Sequence, residues 1–217
     1  MPGDRLYWWF AQPFLKQCIH VARLVGGVRY RLHGTEHLPS VDNNRPIILC
    51  PKHQSTWETF AFPALMPHPL SYVFKREILA IPLFGWSIGR LDMVHIDRSN
   101  RKEAWDKVTQ QGHKLMKSGH WVIMFPEGTR IERGKAGNYK TGASRLAIQT
   151  GASIIPIAVT SARCWPRRTF ALRPGVIDVS IGAPISSDGR EPSELMKQVE
   201  TWIESEMRRL DPEAYTV

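Results

Sequence analysis

The sequence predicts an α/β fold: a single domain with a mixed, mostly parallel sheet flanked by helices, preceded by an N-terminal amphipathic helix pair. Three observations carry this. Short apolar runs such as PIILC, WVIMF and IIPIAV have the length and composition of buried strands. Stretches with apolar residues at helical spacing alternate with them, and Gly and Pro punctuate the boundaries. No internal repeat or low-complexity tract marks a linker, so residues 28–217 read as one domain and 1–27 as the helical segment before it.

In order, residues 6–25 (LYWWFAQPFLKQCIHVARLV) gather aromatic and aliphatic side chains around Pro13, with Lys16, His20 and Arg23 along one side of the second half. This suits an interfacial helix pair with Trp and Tyr at the lipid headgroups; an amphipathic helix covering a core reads the same way. Residues 28–32 alternate apolar and basic as a half-exposed strand does, and 46–50 read as a buried strand. Pro63, Pro67 and Pro69 limit the next segment to a short helix, a loop and a strand at 71–74. The uncharged stretch 78–89 suits core packing, a greasy groove or a membrane face. A strand at 93–96 precedes a helix capped at Ser99 and closed by Gly119, with Val108 and Leu115 on its apolar stripe. Strands at 121–125, 154–159 and 176–181, a helix at 142–150 ended by Gly151, and an amphipathic helix at 192–210 complete the chain. In the last, Leu195, Val199, Trp202, Ile203 and Met207 share one face.

A formal charge of +9 favours anionic partners: phospholipid surfaces, phosphorylated substrates or nucleic acid. Three dispersed cysteines without a CxxC argue against a disulfide framework or zinc site and for a reducing compartment. No run reaches the roughly 20 apolar residues a membrane span needs, and MPGDR lacks a signal-peptide pattern, so the expectation is a chain that does not cross a membrane.

A P-loop is excluded by the spacing of Gly128 and Gly134 and by Ala136 where Ser or Thr would hold magnesium. Neither GxGxxG after a strand nor GxSxG is present, which removes a dinucleotide fold and a serine hydrolase elbow. What remains is a series of short polar blocks, each following a strand-like run: His53 with Glu58, Lys75-Arg76-Glu77, His95-Ile96-Asp97-Arg98, Phe125-Pro126-Glu127-Gly128-Thr129-Arg130 and Tyr139-Lys140-Thr141-Gly142. Beyond the carboxyl ends of sheet strands such blocks gather at one crevice.

HQSTWE, HIDR, FPEGTR and IIPIAV, in this order and with KREI and YKTG between, resemble the glycerolipid acyltransferase family, most closely its bacterial 1-acyl-glycerol-3-phosphate acyltransferases. The resemblance covers about residues 28–185 and is most specific at FPEGTR. It implies transfer of a fatty acyl group from acyl-CoA or acyl-carrier protein to the sn-2 hydroxyl of 1-acyl-glycerol-3-phosphate, giving phosphatidic acid, with no bound cofactor and no metal. It assigns His53 as general base and Glu58, where the family usually has Asp, as the group orienting the imidazole. It gives Arg130 the phosphate, Lys75 and Arg98 as candidate second cations, Glu127, Gly128 and Thr129 the glycerol pocket, and Lys140 and Pro156 acyl or donor contacts. The partners implied are a lysophospholipid, the acyl donor and an anionic membrane surface, without nucleic acid, at the cytoplasmic face of a bacterial inner membrane in a peripheral or monotopic position. Another lysophospholipid or a lyso-aminolipid as acceptor fits the same blocks, and a non-catalytic basic protein binding membranes or nucleic acid fits the charge.

The residues alone leave Glu58 open. Ser55-Thr56-Trp57-Glu58 is a capping box that accounts for the glutamate without His53. On a regular helix positions 53 and 58 would sit about 140° apart, so a pair forms only if His53 precedes the helix. Cys50 reads as a core cysteine and His95 as a strand residue. The stretch 163–173, four arginines interleaved with Trp and Phe, suits lipid or donor contact ahead of single-stranded nucleic acid.

Overall fold

The computed structural model describes residues 2–40, 45–80, 84–96, 101–169 and 171–215. Seven strands, β1 (Val28–His33), β2 (Ile47–Pro51), β3 (Leu70–Lys75), β4 (Val94–Ile96), β5 (Trp121–Ile123), β6 (Ser153–Val159) and β7 (Gly175–Ile181), form one sheet in the order β1-β7-β6-β2-β5-β3-β4. Among the described residues only the β6–β7 ladder is antiparallel. The inner strands β2, β5 and β6 are nearly continuous apolar runs because both faces are covered, whereas β1, VRYRLH at the sheet edge, is mostly exposed. Along β2, Ile47 and Leu49 enter one core while Ile48 and Cys50 enter the other, as the two-residue pleat requires.

Helices α1 (Pro2–Leu6), α2 (Gln12–Gly26), α3 (Trp57–Leu65), α4 (Phe84–Ile88), α5 (Arg101–Lys117), α6 (Gly142–Thr150) and α7 (Pro192–Leu210) supply the two layers. Ile19 of α2 and Trp57, Ala61 and Phe62 of α3 close the first core. Val108 and Leu115 of α5, Leu146 of α6, and Leu195, Val199, Ile203 and Met207 of α7 close the second. The expected cap at Ser99 lies outside the described residues. Pro63 sits inside α3 despite its missing N–H, and the freed carbonyl four residues back, on Thr59, has the Tyr72 hydroxyl at 3.4 Å.

The N-terminal pair, α1 and α2, is joined without a break by a π turn, Tyr7–Ala11. Pro13 would clash with the carbonyl four residues back in a regular helix, and the wide turn before it makes the room. Tyr7 points inward, its hydroxyl donating to the Pro63 carbonyl at 2.8 Å. Trp9, Phe10, Phe14, Leu24 and Val25 point outward, with Trp9 76% and Val25 83% exposed. Among the described residues no helix is long and apolar enough to cross a membrane.

Candidate active site

β2 ends at Pro51, and the chain turns through Lys52, His53 and Gln54 before α3 begins at Trp57. His53 therefore lies in the loop, where it reaches Glu58: its Nδ1 is 2.6 Å from Glu58 Oε2. The capping box forms as well. Glu58 Oε1 accepts the Ser55 amide at 2.9 Å and the Gln54 amide at 2.9 Å, while Ser55 Oγ accepts the Trp57 amide at 3.1 Å. The two readings of Glu58 do not compete: the Ser55 amide goes to Oε1 and His53 Nδ1 to Oε2, with the Gln54 amide shared between the two oxygens, at 2.9 and 3.1 Å. The Ser161 hydroxyl, just past the end of β6, donates to Oε1 as well.

Every group around Glu58 is a donor, and its side chain is fully buried. A carboxylate offers two acceptor oxygens with several lone pairs, enough to meet these donors together. With Nδ1 donating to this carboxylate, Nε2 keeps its lone pair on the opposite edge of the ring. The imidazole stacks on Phe125, ring centroids 3.8 Å apart, and its side chain is 12% exposed. A ring so oriented, with one open edge, has the makings of a general base.

The FPEGTR loop, after β5, lies alongside. Ile131 N–H donates to the His53 carbonyl at 2.7 Å, and Gly128 takes a left-handed φ of 65°. Lys140 reaches across it: a side chain at 128 would begin 3.0 Å from Lys140 Nζ. Gly128 and Thr129 are exposed, and Arg130 is half-buried. An open pocket of about 300 Å³ is lined by His53, Thr129, Arg130, Arg167 and Arg168.

Expected at the glycerol pocket, Glu127 lies beneath the loop with its side chain fully buried. Its Oε1 accepts from Lys52 Nζ at 2.7 Å and Gly137 N–H at 3.1 Å, and its Oε2 from the His53 amide at 3.0 Å. It therefore holds the loop against the His53 turn. Lys52, fully buried, also meets Glu204 of α7 at 2.6 Å, and Tyr139 donates to the same Glu204 oxygen at 2.8 Å. Burial pushes the Glu127 carboxyl up while Lys52 pulls it back. Pro156, expected as an acyl or donor contact, is buried within β6 opposite Cys50 of β2. It lies just beyond the end of the β6–β7 ladder, whose last pair is Ile157 with Ile181, which accounts for a proline in an inner strand.

Lys75 ends β3 at the same carboxyl edge of the sheet; its side chain, and all of Arg98, lie outside the described residues. Lys52, Ser161, Arg167 and Arg168 were not singled out one by one from sequence. The Arg-rich stretch 163–173 was a signal for the last two; Lys52 and Ser161 offered none, their partners lying far along the chain. Cys50 and Cys164 are buried and unpaired with each other. Elsewhere, Asp4, Asp92 and His120 place ligand-type atoms within 4.8 Å of one another. Both His120 nitrogens are already engaged, with Asp4 at 2.6 Å and Ser71 at 3.0 Å, so the cluster clasps α1 to the sheet.

An open α/β sheet thus carries a histidine–carboxylate pair and an arginine-lined pocket at its carboxyl edge, where ligands of such sheets bind. The Acyltransferase family model matches residues 29–160. The 1-acyl-sn-glycerol-3-phosphate acyltransferase of Pseudomonas aeruginosa is 37% identical over 215 residues, 98% of this chain and 82% of that protein. The enzyme of that name from Cocos nucifera is 31% identical over 159 residues, 73% of this chain and 51% of that one. The crystal structure of the 1-acyl-sn-glycerophosphate acyltransferase PlsC from Thermotoga maritima shares the fold, with a TM-score of 0.75 and 24% identity over 93% of this chain and 78% of that one. The chain belongs to the acyltransferase family and is an O-acyltransferase.

Proposed function

We propose that the chain acylates the sn-2 hydroxyl of 1-acyl-glycerol-3-phosphate from an acyl thioester, acyl-CoA or acyl-carrier protein, to give phosphatidic acid and the free thiol. The observation that carries this is the His53 Nδ1–Glu58 Oε2 contact of 2.6 Å, which leaves Nε2 for the arginine-lined pocket. The acceptor hydroxyl oxygen attacks the thioester carbonyl carbon as His53 Nε2 takes its proton. The tetrahedral intermediate collapses, the carbon–sulfur bond breaks, and the imidazolium returns the proton to the thiolate. Glu58 stabilises the imidazolium throughout. A positioned base contributes about 10²- to 10⁴-fold, and a thioester is activated enough to need no enzyme nucleophile.

Arg130 binds the acceptor phosphate, since a planar guanidinium matches phosphate oxygens in pairs. Lys75 and Arg98 are proposed as further cations, Gly128 and Thr129 as the floor of the glycerol pocket, and Lys140 as a donor contact. Residues 1–27 rest on an anionic membrane, and residues 28–217 form the transferase domain. Support for the first is the outward row of Trp9, Phe10, Phe14, Leu24 and Val25 beside Lys16 and Arg23. The location proposed is the cytoplasmic face of a bacterial inner membrane. The test is thiol release from acyl-CoA with lysophosphatidate as acceptor. Release by the wild type, lost in His53→Ala, is expected; full activity in His53→Ala, or no release with any donor, overturns the reading.

A further inference from the structure

The pocket beside His53 has a wall that FPEGTR does not supply. Arg167 and Arg168 come from the β6–β7 connection, which the antiparallel pairing of β7 returns to the carboxyl edge of the sheet. The connection is internally braced: Trp165 Nε1 donates to the Thr169 carbonyl at 2.9 Å, and Arg173 N–H donates to the Cys164 carbonyl at 2.8 Å. Arg167 Nη1 donates to the Arg130 carbonyl at 3.0 Å, fastening this turn onto the FPEGTR loop. Arg168 adopts φ 59°, a left-handed conformation that an arginine side chain disfavours and that glycine accepts readily. Such a conformation persists where the surrounding structure imposes it, and here it sets an arginine at the pocket instead of the residue the backbone prefers.

Three arginines thus line one small concavity, and no carboxylate is among the residues lining it. Gathering like charges is unfavourable unless an anion joins them, and guanidinium groups match phosphate oxygens in pairs. We propose that Arg167 and Arg168 form the second wall of a phosphate pocket and, with Arg130, bind a phosphate ester as a dianion. This rests on the phosphate role given above to Arg130 and extends it to a turn outside the recognised blocks. The phosphate comes from the acceptor or from the CoA donor, and the test separates the two.

Arg168→Gly removes the guanidinium while suiting the φ of 59°, so a folded protein is expected. Arg167→Gln and Arg168→Lys accompany it. Steady-state kinetics are run with lysophosphatidate against phosphate-free monoacylglycerol as acceptor, and with acyl-CoA against a phosphate-free acyl-N-acetylcysteamine as donor. Loss of a charge-assisted hydrogen bond predicts KM for the phosphate-bearing substrate up by roughly 10- to 100-fold in Arg168→Gly, with kcat within about threefold and partial recovery in Arg168→Lys. A defect that disappears with monoacylglycerol assigns the acceptor phosphate; one that disappears with the phosphate-free thioester assigns the donor. Unchanged KM for both substrates, or a defect equally large when both phosphates are absent, overturns the proposal. If the wild type releases no thiol with lysophosphatidate, the functional reading itself fails, which is a separate result.

Discussion

Glu58→Gln isolates the orienting role of the carboxylate from its structural one. Three donors converge on Oε1: the amides of Gln54 and Ser55, each at 2.9 Å, and the hydroxyl of Ser161. A carboxamide at this position keeps its oxygen toward those donors, so its NH₂ faces His53 Nδ1 where Oε2 stood at 2.6 Å. That NH₂ donates to Nδ1 and drives the imidazole proton to Nε2, the atom that must accept from the substrate. The expected loss is the contribution of a general base, about 10²- to 10⁴-fold in kcat, or roughly 3 to 5 kcal/mol of barrier. A tautomer exchange in the serine protease triad has an effect at the upper end of this range, about 10⁴-fold. The assay is thiol release at saturating acceptor and donor, alongside thermal unfolding. Because the bonds at Oε1 survive and only the longer Gln54 contact with Oε2, at 3.1 Å, is lost, Tm is expected to move far less than kcat. A variant whose kcat stays within about threefold of wild type would refute the tautomer argument, since a base contributing at least about 10²-fold could not be disabled at so small a cost.

Lys52→Met leaves the buried carboxylates of Glu127 and Glu204 facing each other without their ammonium; breaking such a pair costs about 3–5 kcal/mol, which at about 2–4 °C per kcal/mol lowers Tm by about 6–20 °C. Glu127 is already pushed up by burial and loses in the variant the two Lys52 interactions that lower it. A carboxyl raised in the folded state favours folding below its unfolded pKa and loses that contribution as pH rises through the folded one, so the deficit of the variant is expected to be larger at neutral pH than in mild acid. Unfolding curves across pH check the sign. Ser161→Ala removes one donor to Glu58 and is expected to destabilise by about 1.5–3 kcal/mol in urea unfolding, with a smaller loss of kcat than Glu58→Gln. Gly128→Ala forces a left-handed φ of 65° on an L side chain, a cost of about 1–2 kcal/mol readable as a lower midpoint in denaturant. Replacing Trp9 and Phe10 by Ser is expected to weaken cosedimentation with anionic vesicles while leaving Tm unchanged, both side chains being exposed.

Much of the fold was legible because its signals are local. The apolar faces of α5 and α7 were readable from spacing, and Gly151 was readable as the end of α6, where it takes a left-handed φ of 67°. The N-terminal proline was less so: Pro13 reads as a break between two helices, yet the π turn at Tyr7–Ala11 carries the chain through it. Local spacing offers no sign of such a turn, because the residues that widen it are ordinary helix formers or aromatics held by contacts such as Tyr7 with Pro63.

By itself the sequence determined the α/β alternation, the position of each strand's polar block and the condition under which His53 and Glu58 meet, namely a loop histidine before a capped helix. These depend on the period of helices and strands and on hydrogen bonds within a few residues. Only the tertiary structure decided that Glu58 serves cap and imidazole together, that Glu127 turns inward to Lys52, and that Ser161 and Arg167–Arg168 join the site from the far side of β6. The reason is the cost of burying charge. Whether a lysine or glutamate faces solvent or a partner depends on which distant strand ends the sheet order brings side by side, and Lys52 pairs with Glu204 across 152 positions.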